Sequence, residues 1–181
     1  LLLYLSATRR YTGAEDNAHS LKAALALFKH TDDVQGQLVT LALLIEASTY
    51  RGHDIIPIGL LIEEAEALLN AISFEGYQWE SAILWHQIGF SLSLRAGDQR
   101  KGHQACHNAY LISKAINNRP LQIAVLASGL LPLAVMGEFG LVEKTAVQAA
   151  GLLEQHPYPE LRALYLLNYS QASTVEGELG R

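Results

Sequence analysis

Two histidines and the chain's single cysteine lie close together in the segment His103-Gln104-Ala105-Cys106-His107. On an α-helix, positions 103, 106 and 107 share one face, and two imidazoles with a thiolate could supply three ligands of a zinc site. No fourth ligand can be identified in the sequence. Gln104 also stands where a metalloprotease helix would have its glutamate. The favoured interpretation is therefore a packed cysteine with histidines that face solvent. Metal binding by these three residues is the weaker alternative, and we expect no metal ion or other cofactor.

The other candidates for catalysis are weaker still. Glu63, Glu64 and Glu66 form an acidic helix face, which is typical of a solvated helix surface and not of paired catalytic carboxylates. His30 and His156 stand at predicted helix ends, where an imidazolium interacts favourably with exposed carbonyl groups. The sequence contains no phosphate-binding loop, no dinucleotide-binding fingerprint and no nucleophile elbow. We therefore predict that the chain is not an enzyme.

The composition favours a packed, largely apolar fold. Hydrophobic residues make up 50% of the 181 residues and charged residues 17%, with a net charge of −5. Without excess positive charge, direct contact with nucleic acid is not expected. The longest apolar segment, Pro120 to Gly137, is short for a membrane span and contains Gln122, so we predict a buried helix and no membrane contact. A single cysteine and the lack of a secretory signal pattern predict a cytoplasmic location.

Helical periodicity runs along the whole chain, without the alternation that marks strands. Glycine, proline, aspartate and asparagine divide it into nine predicted helices, at about 1–12, 15–30, 33–51, 57–72, 76–96, 98–117, 119–136, 138–155 and 158–177. The connections are short, so consecutive helices should be antiparallel neighbours. The predicted fold class is all-α.

Five predicted helix ends share a glycine followed, within two residues, by an acidic residue. They are Gly13, Gly52, Gly97, Gly137 and Gly177, at intervals of 39, 45, 40 and 40 residues. Glycine adopts the left-handed conformation that ends many helices, and an acidic residue suits the start of the next one. The spacing predicts about four and a half helix pairs with a period near 40 residues.

The residues inside these helices resemble the tetratricopeptide repeat (TPR). Its order of a large residue, an aliphatic residue, a glycine, a turn glycine and a small residue is approximated by Trp85, Ile88, Gly89, Gly97 and Gly102. The order is repeated by Val125, Ser128, Gly129 and Gly137. The other repeats replace the mid-helix glycine with Leu5, Leu44 and Tyr169. With about 40 residues per repeat instead of about 34, the chain resembles the helical region of LuxR/MalT-like bacterial transcriptional regulators that carry a P-loop ATPase.

This resemblance implies a right-handed α–α superhelix in which residues 1–181 form one TPR-like domain of a longer multidomain protein. It also implies a non-enzymatic domain that binds a protein or a small effector, or self-associates, within a signal-responsive transcriptional regulator. The ATPase and DNA-binding modules would lie outside these residues. The alternative is a generic TPR adaptor that binds a peptide or a partner helix in its concave groove.

In the register set by the glycines, the concave wall carries Leu41, Ile45, His86, Phe90, Leu126 and Leu130. A row of leucines that faces water is unfavourable, so either the groove receives an apolar ligand or a helix, or the register is shifted by one residue and the leucines are core. The favoured interpretation is a core together with a partly apolar groove. For His86, a satisfied, partly buried histidine is favoured over a ligand contact. The same register predicts that Gly89 and Gly129 let neighbouring helices approach, so that a β-branched substitution at either position would crowd the helices.

Overall fold

The computed structural model describes residues 17–51, 57–73, 75–156 and 158–179. These residues form eight α-helices and no strand, which confirms the all-α prediction. The helices are α1 (Asn17–His30), α2 (Val34–Arg51), α3 (Ile58–Ala71), α4 (Gln78–Ser91), α5 (Gln99–Ala115), α6 (Arg119–Val135), α7 (Phe139–Gln155) and α8 (Pro159–Leu179). A π-helical turn, Leu92–Ala96, extends α4. The predicted helix at 1–12 lies outside the described residues.

The described residues fall into two compact units, one that ends at Gln87 and one that begins at Ile88. In the first unit, α2 packs against both α1 and α3. In the second unit, α6 packs against α5, α7 and α8, and α7 also contacts α8. Helices that follow each other in sequence are thus neighbours within each unit. The single repeat domain over 1–181 and the right-handed superhelix stay predictions.

Two of the turns have the same local structure, 85 residues apart. Asp32 follows α1 and Asn117 follows α5, with left-handed φ angles of 52° and 54°. Aspartate and asparagine tolerate this conformation better than most residues. Each is followed by a capping residue. Asp33 Oδ1 accepts a backbone N–H of α2 at 2.9 Å, and Asn118 Oδ1 accepts one of α6 at 3.1 Å. These caps set where α2 and α6 begin.

A glutamine stabilises each of these two turns from the following helix. Gln37 Nε2 donates to the Phe28 carbonyl at 3.4 Å, and Gln122 Nε2 donates to the Ser113 carbonyl at 3.1 Å. Gln122 is buried, so this bond satisfies a polar group that water does not reach. The two glutamines are again 85 residues apart. The two turns therefore share both the capping bond and the glutamine bond.

Two of the predicted turn glycines are confirmed. Gly97 and Gly137 have φ angles of 69° and 76°, and they follow the π-helical turn and α6, respectively. Glycine adopts this conformation readily because it has no Cβ atom. After Gly97, Asp98 Oδ1 accepts the Lys101 N–H at 3.0 Å and so caps α5, as the acidic residue was predicted to do.

A third predicted turn glycine, Gly177, does not show this geometry. The prediction for Gly177 is wrong, because α8 continues as a regular helix to Leu179. A glycine inside a helix costs about 1 kcal/mol relative to alanine, which is too little to end a helix by itself. Gly13 and Gly52, like Leu5, lie outside the described residues.

Helix α6 is the central element of the second unit. It is in contact with three other helices, and most of its residues are buried. After Arg119 it carries no charged side chain, so all its faces can be covered by neighbours. This confirms the buried helix that was predicted for the apolar segment. No helix in the described ranges combines the length and the apolar character needed to cross a bilayer.

The contact between the end of α4 and α5 requires a glycine at position 89. A Cβ atom added to Gly89 would lie 2.6 Å from Cys106 Sγ and 2.7 Å from the Gly102 carbonyl oxygen. Real Cβ atoms do not approach other atoms this closely. Gly89 therefore lets the two helix backbones come close together, which confirms its predicted role.

Gly129 occupies the equivalent sequence position in α6 but has different surroundings. It is buried, yet an added Cβ atom would have no atom of any described residue within 4 Å, apart from its own helix backbone. The prediction that Gly129 lets a neighbouring helix approach is therefore wrong. No neighbour fills the space beside it, and a side chain would fit there.

Replacement of Gly89 and of Gly129 by alanine should change the free energy of unfolding in opposite directions. We expect Gly89→Ala to lower the free energy of unfolding by about 1–3 kcal/mol, because the crossing helices must shift to admit the methyl group. Gly129→Ala should raise it by about 0.5–1 kcal/mol, because alanine favours the helix and meets no obstacle. Urea unfolding of both variants and the wild type measures the difference. Equal losses of stability in the two variants would contradict the surroundings described for Gly89 in α4 and for Gly129 in α6.

Candidate ligand-binding cavity

Four of the six residues predicted to line a concave groove are core residues. Leu41, Ile45, Leu126 and Leu130 are 1%, 0%, 8% and 0% exposed. Leu130 belongs to an apolar cluster that α6 forms with α7 and α8. The sequence left a groove and a packed core open, and these exposures fit the packed core. Leu41, Ile45 and Leu130 have almost no exposed surface that a partner could contact. Leu126 differs from the other three, because part of its side chain borders a cavity.

The other two predicted groove residues, His86 and Phe90, are half-buried on α4. Burial lowers the pKa of His86 from 6.5 to about 4, because the imidazolium would lose its hydration. His86 is therefore neutral near pH 7. Both side chains interact with neighbouring residues. These properties fit the favoured interpretation of His86 as a satisfied, partly buried histidine.

His103, Cys106 and His107 lie on one face of α5. Cys106 is only 3% exposed, as the packed interpretation requires. Burial raises the pKa of its thiol to about 12, so the group stays protonated and is a poor nucleophile and metal ligand. His107 is exposed as predicted, but His103 is half-buried. Within the described ranges, no three or more His, Cys, Asp or Glu side chains are placed to hold a metal ion together.

A cavity of about 190 Å³ lies between α5, α6 and α7 in the second unit. Its apolar wall comes from α6, whose Val125, Leu126 and Leu133 lie along it. Gly129 lies among these three residues on the same helix. The space that a side chain at position 129 would fill is therefore part of the cavity.

The polar wall of the cavity comes from the two helices on either side of α6. From α5 it includes His103 and Tyr110, and from α7 it includes Thr145 and Gln148. Gln148 Nε2 donates a hydrogen bond to Tyr110 Oη and thereby connects α7 to α5. The cavity thus has an apolar wall on one helix and hydrogen-bonding groups on the two others.

One nitrogen of His103, a residue in this wall, is buried and has no hydrogen-bond partner among the described residues. This nitrogen is Nδ1. The pKa of His103 is lowered, chiefly by desolvation and further by His107, while Glu138 acts in the opposite direction. The imidazole is therefore neutral near pH 7 and can offer one donor and one acceptor nitrogen. Most buried polar groups in proteins have a partner, so this nitrogen is an exception. It is buried even from a water-sized molecule, so a group in the cavity does not contact it in this arrangement.

Sequence reasoning identified part of this site and missed the rest. The face with His103, Cys106 and His107 was recognised from helical spacing, and Gly129 was singled out, but for another role. Thr145 and Gln148 were missed, because nothing in the sequence shows that α7 faces α5 across α6. Continuing the spacing from His103 by seven residues would have added Tyr110 to the same face.

Comparison with known proteins gives no match. No protein-family model, no curated protein and no solved structure matches the chain.

Protonation of His86 should make the fold sensitive to acid. The folded pKa is about 4 against 6.5 in the unfolded chain, so the unfolded chain binds more protons between these values. The contribution of His86 is fully present above pH 6.5 and is lost as pH falls towards 4, by about 1–3 kcal/mol.

The variant His86→Gln isolates this contribution, because all other titrating groups are common to both proteins. Urea titrations at several pH values measure the free energy of unfolding of both proteins. The wild type should lose stability relative to the variant as pH falls from 6.5 to 4. A difference that does not change with pH would mean that His86 is not protected from protonation.

Proposed function

We propose that this chain is the effector-binding, TPR-like helical-repeat domain of a bacterial signal-responsive transcriptional regulator, and that a small effector binds in the cavity between α5, α6 and α7. The regulator class and the superhelix come from the resemblance carried by the repeated glycine motifs. The binding site comes from the cavity. The observation that carries the proposal is Gly129, a glycine in the middle of α6 beside unoccupied space.

A glycine at this position weakens the protein without improving its packing. It costs about 1 kcal/mol of helix stability relative to alanine, and no neighbouring backbone needs the room. Almost any small side chain would fill part of the cavity and add apolar contacts. A buried glycine that keeps space open in a cavity with hydrogen-bonding side chains is typical of a binding site, where stability is given up for function.

The position of the cavity also suits a regulatory role. An effector there would contact three consecutive helices and so stabilise the packing of α5 and α7 on α6. In repeat proteins each unit contacts only its neighbours, so a change at one interface is passed along the array. Regulation further requires that the effector bind one arrangement of these helices more tightly than another.

A partner-binding adaptor is the second candidate, and exposed apolar residues on α8 favour it. Leu166, Leu167 and Tyr169 are 54%, 56% and 42% exposed, which is high for large apolar side chains on a single helix. A partner helix or a second copy of the chain could cover them. In that case Leu167→Glu should abolish partner binding or self-association in light scattering, with no effect on small-molecule binding.

Effector binding is tested with a panel of small molecules and three proteins. We expect some compounds to raise the melting temperature of the wild type by about 2–5 °C at saturating concentration. Gly129→Leu should abolish these shifts, because the leucine side chain occupies the cavity. Gly151→Leu is the matched control, since an added Cβ there also has no atom within 4 Å but the residue does not line the cavity.

The proposal fails if no compound stabilises the wild type, or if all stabilising compounds act equally on the three proteins. The regulator class is tested separately by the surrounding reading frame, which should encode a P-loop ATPase module upstream and a helix-turn-helix module downstream. Neighbouring coding sequence of another kind would contradict it.

A further inference from the structure

A groove runs between α7 and α8 on the surface of the second unit. Two cavities open along it, one of about 450 Å³ where α7 begins and one of about 130 Å³ where α7 ends, and both helices line each of them. The lining residues include, at spacings of three, four or seven within each helix, Glu143, Ala150 and Glu154 on α7 and Leu166, Tyr169 and Glu176 on α8. Residues at such spacings follow one face of a helix. The two cavities are therefore parts of one continuous groove.

Large apolar side chains are exposed at both walls of this groove. Leu166 and Tyr169 are exposed on α8, and Val147, which by its helical spacing follows the same face of α7 as the groove, is 69% exposed. Phe139 and Tyr165 form the floor, because each lines one of the two cavities and also packs against the apolar cluster of α6, α7 and α8. A partner that covers the three exposed side chains removes apolar surface from water, which favours binding.

The charges along the groove favour a positively charged partner. Its three acidic side chains, Glu143, Glu154 and Glu176, are called the groove carboxylates below, and none of them forms an ion pair with a described residue. Arg162 is the one basic residue among the described residues that line the two cavities. The last turn of α8 contains no basic residue, so Glu176 lies near the partial negative charge of a helix end, which is unfavourable. Lysine or arginine side chains of a partner would relieve this excess of negative charge.

The shape of the groove favours a helix as the partner. The distance along α7 from Glu143 to Glu154 is about 16 Å, which is three turns of an α-helix. A groove between two packed helices receives the side-chain ridge of a third helix, whose anchors recur at every third or fourth residue. A second copy of this chain is disfavoured, because a symmetric contact through the groove would bring the groove carboxylates of both copies together.

We propose that the groove between α7 and α8 binds an amphipathic, basic helix of another protein. The aliphatic face of this helix covers Val147, Leu166 and Tyr169, and its lysine or arginine side chains pair with the groove carboxylates. This inference does not rest on the proposed effector site, because no described residue lines both the groove and the cavity between α5, α6 and α7.

Three synthetic peptides of about 18 residues test the proposal by fluorescence anisotropy with the 181-residue chain. The first is an amphipathic helix with leucine on one face and lysine on both flanks. The second has glutamate in place of lysine, and the third has the composition of the first in scrambled order. The first peptide should bind with a dissociation constant on the order of 10 μM at low ionic strength. The other two should bind at least about tenfold more weakly, because one lacks the positive charges and the other lacks the apolar face.

Two leucine variants locate the binding. Leu166→Lys should abolish binding of the first peptide, because it places a positive charge in the middle of the groove. Leu111→Lys is the matched control, since Leu111 is 51% exposed on α5, against 54% for Leu166, and lies outside the groove. Both side chains are on the surface, so neither substitution should unfold the chain. Gly129→Leu should bind the peptide as the wild type does, which separates this site from the effector cavity.

Two double variants test the charges at constant net charge. Glu143→Gln/Glu176→Gln should weaken binding of the first peptide about three- to tenfold. Glu160→Gln/Glu178→Gln removes the same number of charges, one of them from the same end of α8, but neither residue lines the groove cavities. Its affinity should stay within about twofold of the wild type.

The proposal is overturned if the first peptide does not bind, or if it binds Leu166→Lys and Leu111→Lys equally well. If the second peptide binds as tightly as the first, or if both double variants lose the same affinity, the basic character of the partner is wrong. Self-association of the wild type in analytical ultracentrifugation that Leu166→Lys abolishes would also overturn the proposal, because a second copy would then occupy the groove. None of these results affects the effector cavity, which the compound panel tests.

Discussion

The structure of the second unit depends on the burial of one uncharged helix. After Arg119, α6 has no side chain that requires water, and α5, α7 and α8 cover it. The hydrophobic effect supplies this driving force, which acts on every apolar surface and does not by itself select one arrangement. The arrangement is specified by local features at the ends of the helix. Asn118 caps its start, and Gly137 follows its end. The Gln122 side chain donates a hydrogen bond to the Ser113 carbonyl in the last turn of α5.

A gap beside such a helix is significant because most of the helix is buried against its neighbours. At Gly89 the backbones of α4 and α5 approach so closely that no side chain fits. At Gly129, which has the same place in the sequence motif, the space is open and is bordered by hydrogen-bonding side chains. The same residue type therefore serves a structural purpose at one position and leaves a cavity at the other. The proposed effector site depends on this difference.

The comparison of these two glycines also shows what the sequence can and cannot predict. Helices, turn glycines at 97 and 137, the cap at Asp98 and the buried segment of α6 follow from periodicity and local conformational preference, and they are found in the structure. The surroundings of Gly129 depend on the distance between helices far apart in sequence, which local rules do not contain. For the same reason, local rules could not decide whether the leucines predicted for the groove line a groove or belong to the core. The hydrophobic periodicity around Leu41 and Leu130 is the same whether these side chains face a groove or a neighbouring helix.

The central claim is that a ligand enters the cavity next to Gly129, and methyl NMR tests it most directly. With methyl groups of leucine and valine labelled, titration with a compound that raises the melting temperature of the wild type should shift the signals of Val125, Leu126 and Leu133, which line the cavity. The exposed methyl groups of Leu166 and Leu167 on α8 serve as internal controls and should not move. Shifts at Leu166 and Leu167 without shifts at Leu126 and Leu133 would contradict the claim, because the compound would then bind the exposed apolar surface instead of the cavity.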